Sequence, residues 1–253
     1  MCKVACRKPI WASRVPDLLE LKAVQTHIGQ YHILHGVDFA VAPNSLTMLL
    51  GRNGAGKTTC LRTIMGLWRA STGTIRFDGN EVQNLETPAL ARRGIAYVPE
   101  NMGIFAGLTV RENLVLAARE GEPDGKRLDR IFTLFPAMKK FWHGLAGNLS
   151  GGQKQMLAIS RAIVEPRKLL LVDEPTKGLA PAIIQAMVDA FQELKRDTTL
   201  LVVEQNFHFA RSLGDAVAVM DSGRIVHRGR MADLAADESL QQRLLGLSLD
   251  THQ

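Results

Sequence analysis

Gly51-Arg52-Asn53-Gly54-Ala55-Gly56-Lys57-Thr58 has the spacing of a phosphate-cradling loop: glycine, four residues, then glycine, lysine and a hydroxyl residue. Each piece has a physical task. Glycines let the backbone approach phosphate oxygens and adopt turns closed to bulkier residues. Successive amide N–H groups and the helix start that follows face an anion. Lys57 is the group to reach the outer phosphates of a nucleotide such as ATP, Thr58 offers a hydroxyl to Mg²⁺, and Asn53, Ala55 and Thr59 complete the cradle.

Two further stretches carry chemistry of the same kind. Lys168-Leu169-Leu170-Leu171-Val172-Asp173-Glu174 is an apolar strand ending in two carboxylates. Ligands gather at the carboxyl ends of strands in open α/β sheets. Asp173 is therefore placed to hold a Mg²⁺ shell, and Glu174 to orient or deprotonate an attacking water. Two adjacent acids also read as plain strand-end charge. Leu149-Ser150-Gly151-Gly152-Gln153 precedes a helical run with Leu157, Ile159 and Ile163. It reads as a second anion-facing helix start, or by itself as no more than a loop and cap.

The elements that must position these residues alternate. Strands are expected at 18–24, 37–41, 46–50, 73–77, 168–172, 199–203, 217–220 and 225–227. Helices are expected at 59–67 and 182–194, the second opened by Pro181 where its missing donor costs little. Polar helices run to about residue 247. Between 101 and 165 the texture is helical. Thr109-Val110-Arg111-Glu112 is a capping box, a second helix covers 127–135 up to Pro136, and a third begins after Gly152. The pattern implies an α/β fold with a mainly parallel sheet and a helical lobe inserted at about 101–165. Residues 1–16 read as a loose tail, and 17–250 as one domain.

Composition narrows the classes. The 253 residues are 46% hydrophobic and 22% charged, ordinary for a globular domain. No apolar run approaches the roughly 18–20 residues of a membrane helix. The net charge of +6 admits nucleic acid, anionic lipid, phosphate ligands or a solvated basic surface. No basic run with interleaved aromatics marks a nucleic-acid groove, so no nucleic-acid partner is expected. Cys2, Cys6 and Cys60 form no disulfide framework, which suits a reducing compartment.

The order of phosphate loop, helical insert, LSGGQ and apolar strand with Asp173-Glu174 resembles the ABC ATPase family across nearly all of residues 18–247. The runs Gly51–Thr59, Ala96–Glu100, Glu174–Pro181 and Val203–Asn206 are similar to its branched-chain amino acid (LivF-like) branch. The resemblance implies a P-loop NTPase core with an N-terminal antiparallel β subdomain, and an ATPase taking ATP with Mg²⁺. It implies a head-to-tail dimer with a second, different ATPase or a second copy, in which Ser150, Gly151, Gly152 and Gln153 serve the opposite site. It also implies permease subunits, a periplasmic solute-binding protein acting indirectly, and a peripheral place on the cytoplasmic face of a bacterial inner membrane. The solute would be a branched-chain amino acid, with urea, amides or aromatic acids as the alternative. ABC ATPases of DNA repair usually carry a long coiled-coil insertion and those of translation two cassettes, and neither feature is present. The lid of a P-loop kinase would not contain LSGGQ.

Four positions depart from the wider family pattern. Glu100 stands where most members have the glutamine that senses Mg²⁺ and the membrane subunit. Ala180 replaces the aspartate of the following loop, and Gln205 the histidine that contacts the γ-phosphate. Gln205 can donate a neutral hydrogen bond but carries no imidazolium charge. These changes read as drift with activity retained, or as a slower site in an asymmetric dimer. Ile28 stands where relatives stack adenine on an aromatic, and offers only apolar contact. His27 and Tyr31 beside it read as surface residues. Of the lobe residues Phe105, Leu108, Phe132, Phe135, Phe141 and Trp142, most are expected in its core, with Phe105 facing the groove for a membrane-subunit helix.

Overall fold

The computed structural model describes residues 16–246. Residues 1–15 and 247–253 lie outside them, and with them Cys2, Cys6, most of the expected tail and the end of the last expected helix. The chain opens with β1 (Leu19–Ile28), β2 (Tyr31–Val41), β3 (Leu46–Leu50), α1 (Lys57–Ile64), β4 (Ala70–Phe77), β5 (Asn80–Glu81), α2 (Thr87–Arg92) and β6 (Ile95–Val98). The lobe follows as α3 (Val110–Val115), α4 (Gly125–Leu134), α5 (Pro136–Lys140) and α6 (Gly151–Ile163). The chain closes with β7 (Leu169–Asp173), α7 (Pro181–Leu194), β8 (Thr199–Glu204), α8 (Phe207–Leu213), β9 (Ala216–Asp221), β10 (Arg224–Arg230), α9 (Met231–Ala236) and α10 (Glu238–Leu245).

Two sheets organise these elements. One has the order β2-β1-β4-β5 and antiparallel pairs throughout; the other runs β10-β9-β3-β8-β7-β6. In the second sheet β6, β7, β8, β3 and β9 are parallel and only β10 turns back. Every residue of β3, β7 and β8 is buried. Their apolar runs follow, because a parallel sheet is covered on both faces. Leu46, Met48, Leu170, Val172, Leu200 and Val202 face one apolar cluster, shared with α6, α7 and α8. Leu49, Leu169, Leu171, Leu201 and Val203 face the other, against α1 and the antiparallel sheet. The α/β fold with its antiparallel subdomain and inserted helices is as the sequence implied.

Register brings the functional loops together. Leu50 pairs with Glu204, and Asp173 with Val203. Val98 pairs with Val172. Four neighbouring strands therefore stop at one level, and the loops after β3, β8, β7 and β6 open on the same edge.

Several elements differ from expectation. Pro136 ends α4, but it also opens α5 at a position where a proline is tolerated. The strand expected at 37–41 begins six residues earlier, since its first half pairs with β1 despite two histidines. β6, α2 and α8 were not expected; each spans seven residues or fewer, too short for a clear period. In the lobe Phe135 is fully buried, and Phe132 meets Trp142 edge to face at 5.3 Å.

The turn between β9 and β10 ties the two sheets to the phosphate loop. Gly223 N–H donates to the Ala55 carbonyl at 2.9 Å, and the Gly223 carbonyl accepts from His35 N–H at 2.9 Å. Gly223 has φ +73°, and a Cβ there would lie 2.0 Å from the Ile33 carbonyl oxygen. Gly79 has a similar φ of +74° with nothing within 4 Å. Gly79→Ala therefore carries only the left-handed cost, about 1–2 kcal/mol. Gly223→Ala adds a backbone clash and is expected to cost about 2–4 kcal/mol, a fall in Tm of roughly 5–15 °C. Thermal unfolding of the two variants side by side checks the difference.

Candidate functional site

The loop between β3 and α1 depends on its glycines. Gly51, Gly54 and Gly56 have φ of +152°, +79° and +103°. A Cβ on Gly51 would meet the Met220 carbonyl oxygen at 2.2 Å, so that position admits no side chain. Helix α1 starts at Lys57 with Gly56 as a left-handed cap that offers no side chain to the first N–H groups. Those donors are left for a ligand.

Lys57 is 4% exposed. Its ammonium donates to the Gly51 carbonyl at 2.8 Å and the Arg52 carbonyl at 3.0 Å, and lies 3.8 Å from Glu174 Oε1. Burial pushes its pKa down, while Glu174, Asp173 and Glu204 push it back up. The Thr58 hydroxyl donates to Asp173 Oδ1 at 3.1 Å, and the Tyr97 hydroxyl to Asp173 Oδ2 at 3.2 Å. Asp173 is fully buried, and burial raises its pKa against the opposing effect of those two donors. Tyr97 is pushed up to about 12, by burial first and then by the Asp173 charge. Thr58 and Asp173 thus present adjacent oxygen donors of the kind a hard divalent cation takes.

Glu174 adopts φ +47°, a left-handed conformation uncommon for a residue with a side chain. Its N–H donates to the Val203 carbonyl at 2.9 Å. Gln205 Nε2 donates both to Glu174 Oε1 and to Asn53 Oδ1, each at 2.6 Å. A cavity of about 370 Å³ collects Asn53, Gly54, Gly56, Lys57, Thr58, Thr59, Glu100 and Glu174 on its walls. Ile33 lines it as well; Ile28 does not, standing half-buried at the far end of β1. His27 beside it stacks on His32 at 4.1 Å, and Tyr31 is exposed.

Ser150, Gly151, Gly152 and Gln153 are not part of this cavity. They form a capping box at the start of α6: Ser150 Oγ accepts from Gln153 N–H at 3.3 Å, and Gln153 Oε1 from Ser150 N–H at 2.9 Å. Ser150 and Gly151 face solvent. A Cβ on Gly152 would lie 2.6 Å from Ile183, so α6 and α7 pack closely there. Ala180 is the uncapped residue before α7.

Three side chains of the site went unnoticed in the sequence. Glu204, 3% exposed, accepts four hydrogen bonds: from Thr176 N–H at 3.0 Å, the Thr176 hydroxyl at 2.7 Å, Gln205 N–H at 3.0 Å and Asn206 N–H at 3.1 Å. Tyr97 is the second, and Lys177 the third. Lys177 lines the cavity and pairs with Glu100 at 2.5 Å and Glu174 at 3.6 Å. Both Glu204 and Lys177 sit inside runs already singled out, one position before Gln205 and three after Glu174. A charged residue at the end of a buried strand was the available signal.

A glycine loop capping a parallel strand, a buried lysine beneath it and two carboxylates at the end of β7, one strand removed across β8, define a phosphate-loop nucleotide-binding cassette. Residues 34–177 match the ABC transporter family. The chain is 39% identical over 232 residues, 90% of its length and all of the relative's, to the high-affinity branched-chain amino acid transport ATP-binding protein BraG of Pseudomonas aeruginosa. It is 36% identical over 90% of its length to the probable branched-chain amino acid transport ATP-binding protein LivF of Archaeoglobus fulgidus, covering 99% of that protein. Among solved structures it superposes on an ATP-binding subunit of an ABC transporter with TM-score 0.76 at 29% identity, covering 92% of this chain and 96% of that one. A nucleotide-free ABC cassette gives TM-score 0.78 at 24% identity, a likeness of fold. The chain belongs to the ABC transporter family, as one of its ATPase cassettes.

The raised pKa of Asp173 makes a testable statement about stability. A carboxyl whose pKa is higher in the folded than in the unfolded chain favours folding at low pH. That advantage is lost as pH rises from the ordinary carboxylate range through the raised value. At neutral pH the ionised group therefore weighs against the nucleotide-free fold. Asp173→Asn is expected to raise Tm at pH 7, and the gain to shrink as pH falls toward about 4. Thermal scans across that range check it; a loss of Tm at pH 7 would show that the hydrogen bonds outweigh the burial.

Proposed function

We propose that the chain is the ATP-hydrolysing subunit of an importer for branched-chain amino acids, acting as one half of a head-to-tail pair of cassettes. The observation that carries the reading is a separation within one chain. Lys57, Thr58 and Glu174 line one cavity, with Asp173 bonded to Thr58 and Gln205 to Glu174 behind them, while the helix start at Ser150–Gln153, its first two residues in solvent, is no part of it. A second anion-facing helix start with no anion of its own fits a partner cassette, either a different ATPase subunit or a second copy. The named functions of the relatives at 36–39% identity support the solute class.

In this reading the loop amides and Lys57 hold the outer phosphates of ATP, and the ammonium leaves the Gly51 and Arg52 carbonyls to do so. The oxygens of Thr58 and Asp173, with Glu100 at the rim, would hold Mg²⁺, which supplies charge neutralisation at the phosphates. Glu174 orients the attacking water and takes its proton. Gln205, bonded to both Asn53 and Glu174, holds that carboxylate beside the phosphate loop. Ile33, and Ile28 further along the hairpin, offer apolar contact to the base.

A second cavity, of about 690 Å³, is lined by Tyr97, Asn101, Met102, Ala158 and Arg161 between the sheet edge and the lobe. Phe105 is 48% exposed beside it, with the Arg161 guanidinium 4.8 Å above its ring. We assign this groove to a helix of the permease. No helix among the described residues is long and apolar enough to cross a membrane, which fits a subunit that reaches the cytoplasmic membrane face through such partners.

Three substitutions test the division of labour. Lys57→Ala is expected to weaken MgATP binding by roughly 10- to 100-fold, since a charge-assisted contact is lost. Glu174→Gln is expected to leave binding intact and slow hydrolysis by roughly 100-fold or more. Ser150→Arg should spare nucleotide binding by the isolated chain and abolish the activity of the assembled pair. Loss of binding by the isolated chain in Ser150→Arg would place that segment in the wrong site. For the solute, ATPase activity of the reconstituted transporter should rise with leucine, isoleucine or valine. Stimulation by urea, an amide or an aromatic acid instead would reassign it.

A further inference from the structure

We propose that Lys177 is a positioning residue whose ammonium is shared between Glu100 and Glu174, and that the pull of Glu100 keeps Glu174 free to hold water. The inference rests on the reading of Glu174 as the carboxylate that orients the attacking water.

The backbone around Lys177 is held firmly. Thr176, the residue before it, donates twice to the buried Glu204 carboxylate, and Lys177 N–H donates to the Glu174 carbonyl at 3.2 Å. The turn therefore folds Lys177 back over Glu174. From there its ammonium lies 2.5 Å from Glu100 Oε1 and 3.6 Å from Glu174 Oε2. The nearer carboxylate holds it by a charge-assisted hydrogen bond, and the farther one by attraction alone.

Glu174 is already engaged on its other oxygen. Gln205 Nε2 donates to Oε1 at 2.6 Å, and the Lys57 ammonium stands 3.8 Å from the same atom. Oε2 is the oxygen left for a water molecule, and it is the one Lys177 approaches. Two ammonium groups thus flank one carboxylate that is only 10% exposed, and Glu100 draws one of them away. Without the Glu100 charge, Lys177 has a single acid within reach, and it closes on Oε2. Each oxygen of Glu174 then holds a donor, and the ammonium competes with water for Oε2. The contact between Glu100 and Lys177 links the loop after β6 to the loop after β7, across 77 positions of sequence.

The sign of the coupling makes the test. MgATP hydrolysis is measured on the assembled transporter containing the full chain, as kcat and KM, with thermal unfolding to verify that each variant is folded. At saturating Mg²⁺, which offsets the loss of the Glu100 charge at the rim, Glu100→Gln is expected to lower kcat roughly 10-fold with KM within about twofold. Adding Lys177→Ala to it is expected to restore most of the lost kcat, because the ammonium that closes on Oε2 is gone. Adding Lys177→Arg, which keeps the charge, is expected to restore none. Glu174→Gln serves as the reference and should remain slow in every background. A double variant Glu100→Gln, Lys177→Ala as slow as Glu100→Gln alone overturns the proposal, as does equal rescue by Ala and Arg. If Glu174→Gln keeps wild-type turnover, the reading of Glu174 itself fails and takes the proposal with it, a result distinct from failed rescue.

Discussion

The buried ammonium of Lys57 sets the terms for everything around it. Removing an ammonium from water costs several kcal/mol unless charge and hydrogen bonds replace its hydration. Two carbonyls of its own loop and three carboxylates do so here. None of those carboxylates is near Lys57 in sequence. Asp173 and Glu174 come from the end of β7, and Glu204 from the end of β8. They arrive together because both strands run parallel to the central layer with Leu50 level with Glu204, and Val203 level with Asp173. An antiparallel neighbour would send its terminal residue to the opposite edge. The parallel sheet, covered on both faces, follows from the need to gather these ends in one place.

Gathering them carries a cost, which the surroundings offset. Glu174 sits at φ +47°, and such conformations are costly by about 1–3 kcal/mol and persist where neighbours over-determine them. The neighbours are identifiable. Val203 accepts from its N–H, and Glu204 clamps the loop on one side through Thr176 and the next loop through Gln205 and Asn206. A single buried carboxylate therefore fixes the relative position of two loops. The desolvated Asp173 is a similar concession, a group kept where it weighs against the empty fold but faces the phosphate loop. Stability is spent at the site because activity requires that arrangement.

What the sequence made legible were features whose parts lie close together. The glycine spacing of residues 51–58, the five-residue apolar strand at 46–50, the capping box at Thr109 and the helix start at Ser150 are each read within one short window, and each has its physical counterpart. What stayed hidden depends on strand order and register. β6 is only four residues long, and its place beside β7 is what brings Glu100 near Lys177 and Tyr97 near Asp173. The hairpin shows the same limit. β1 and β2 shift register at irregularities near Val24 and His27, and beyond those shifts Ile33, which the sequence did not single out, lines the phosphate cavity. Residue spacing alone cannot see such a shift. Pro136 is a third case: a proline that stops one helix is equally suited to begin another, and only the packing of Met138 under the lobe selects the second helix.

The placement of the second helix start makes an energetic point. Helix α6 begins at a capping box that satisfies the N–H groups of Ser150 and Gln153, with Ser150 and Gly151 in solvent. The segment needs no ligand to be stable in the isolated chain. The cavity around Lys57 is likewise closed on itself, its ammonium on loop carbonyls and its carboxylates on neighbouring donors. The side chains of each half are thus paired in the isolated chain, and in the proposed pair of cassettes a bound nucleotide would exchange those internal hydrogen bonds for bonds to phosphate and take up the open α1 amides. The side-chain part of that exchange trades one set of bonds for another. The bound state must then draw on the charge of the phosphates and on contact with the partner. In the proposed pair, closure would then depend on the γ-phosphate and be lost with it, which is the property a hydrolysis-driven cycle requires.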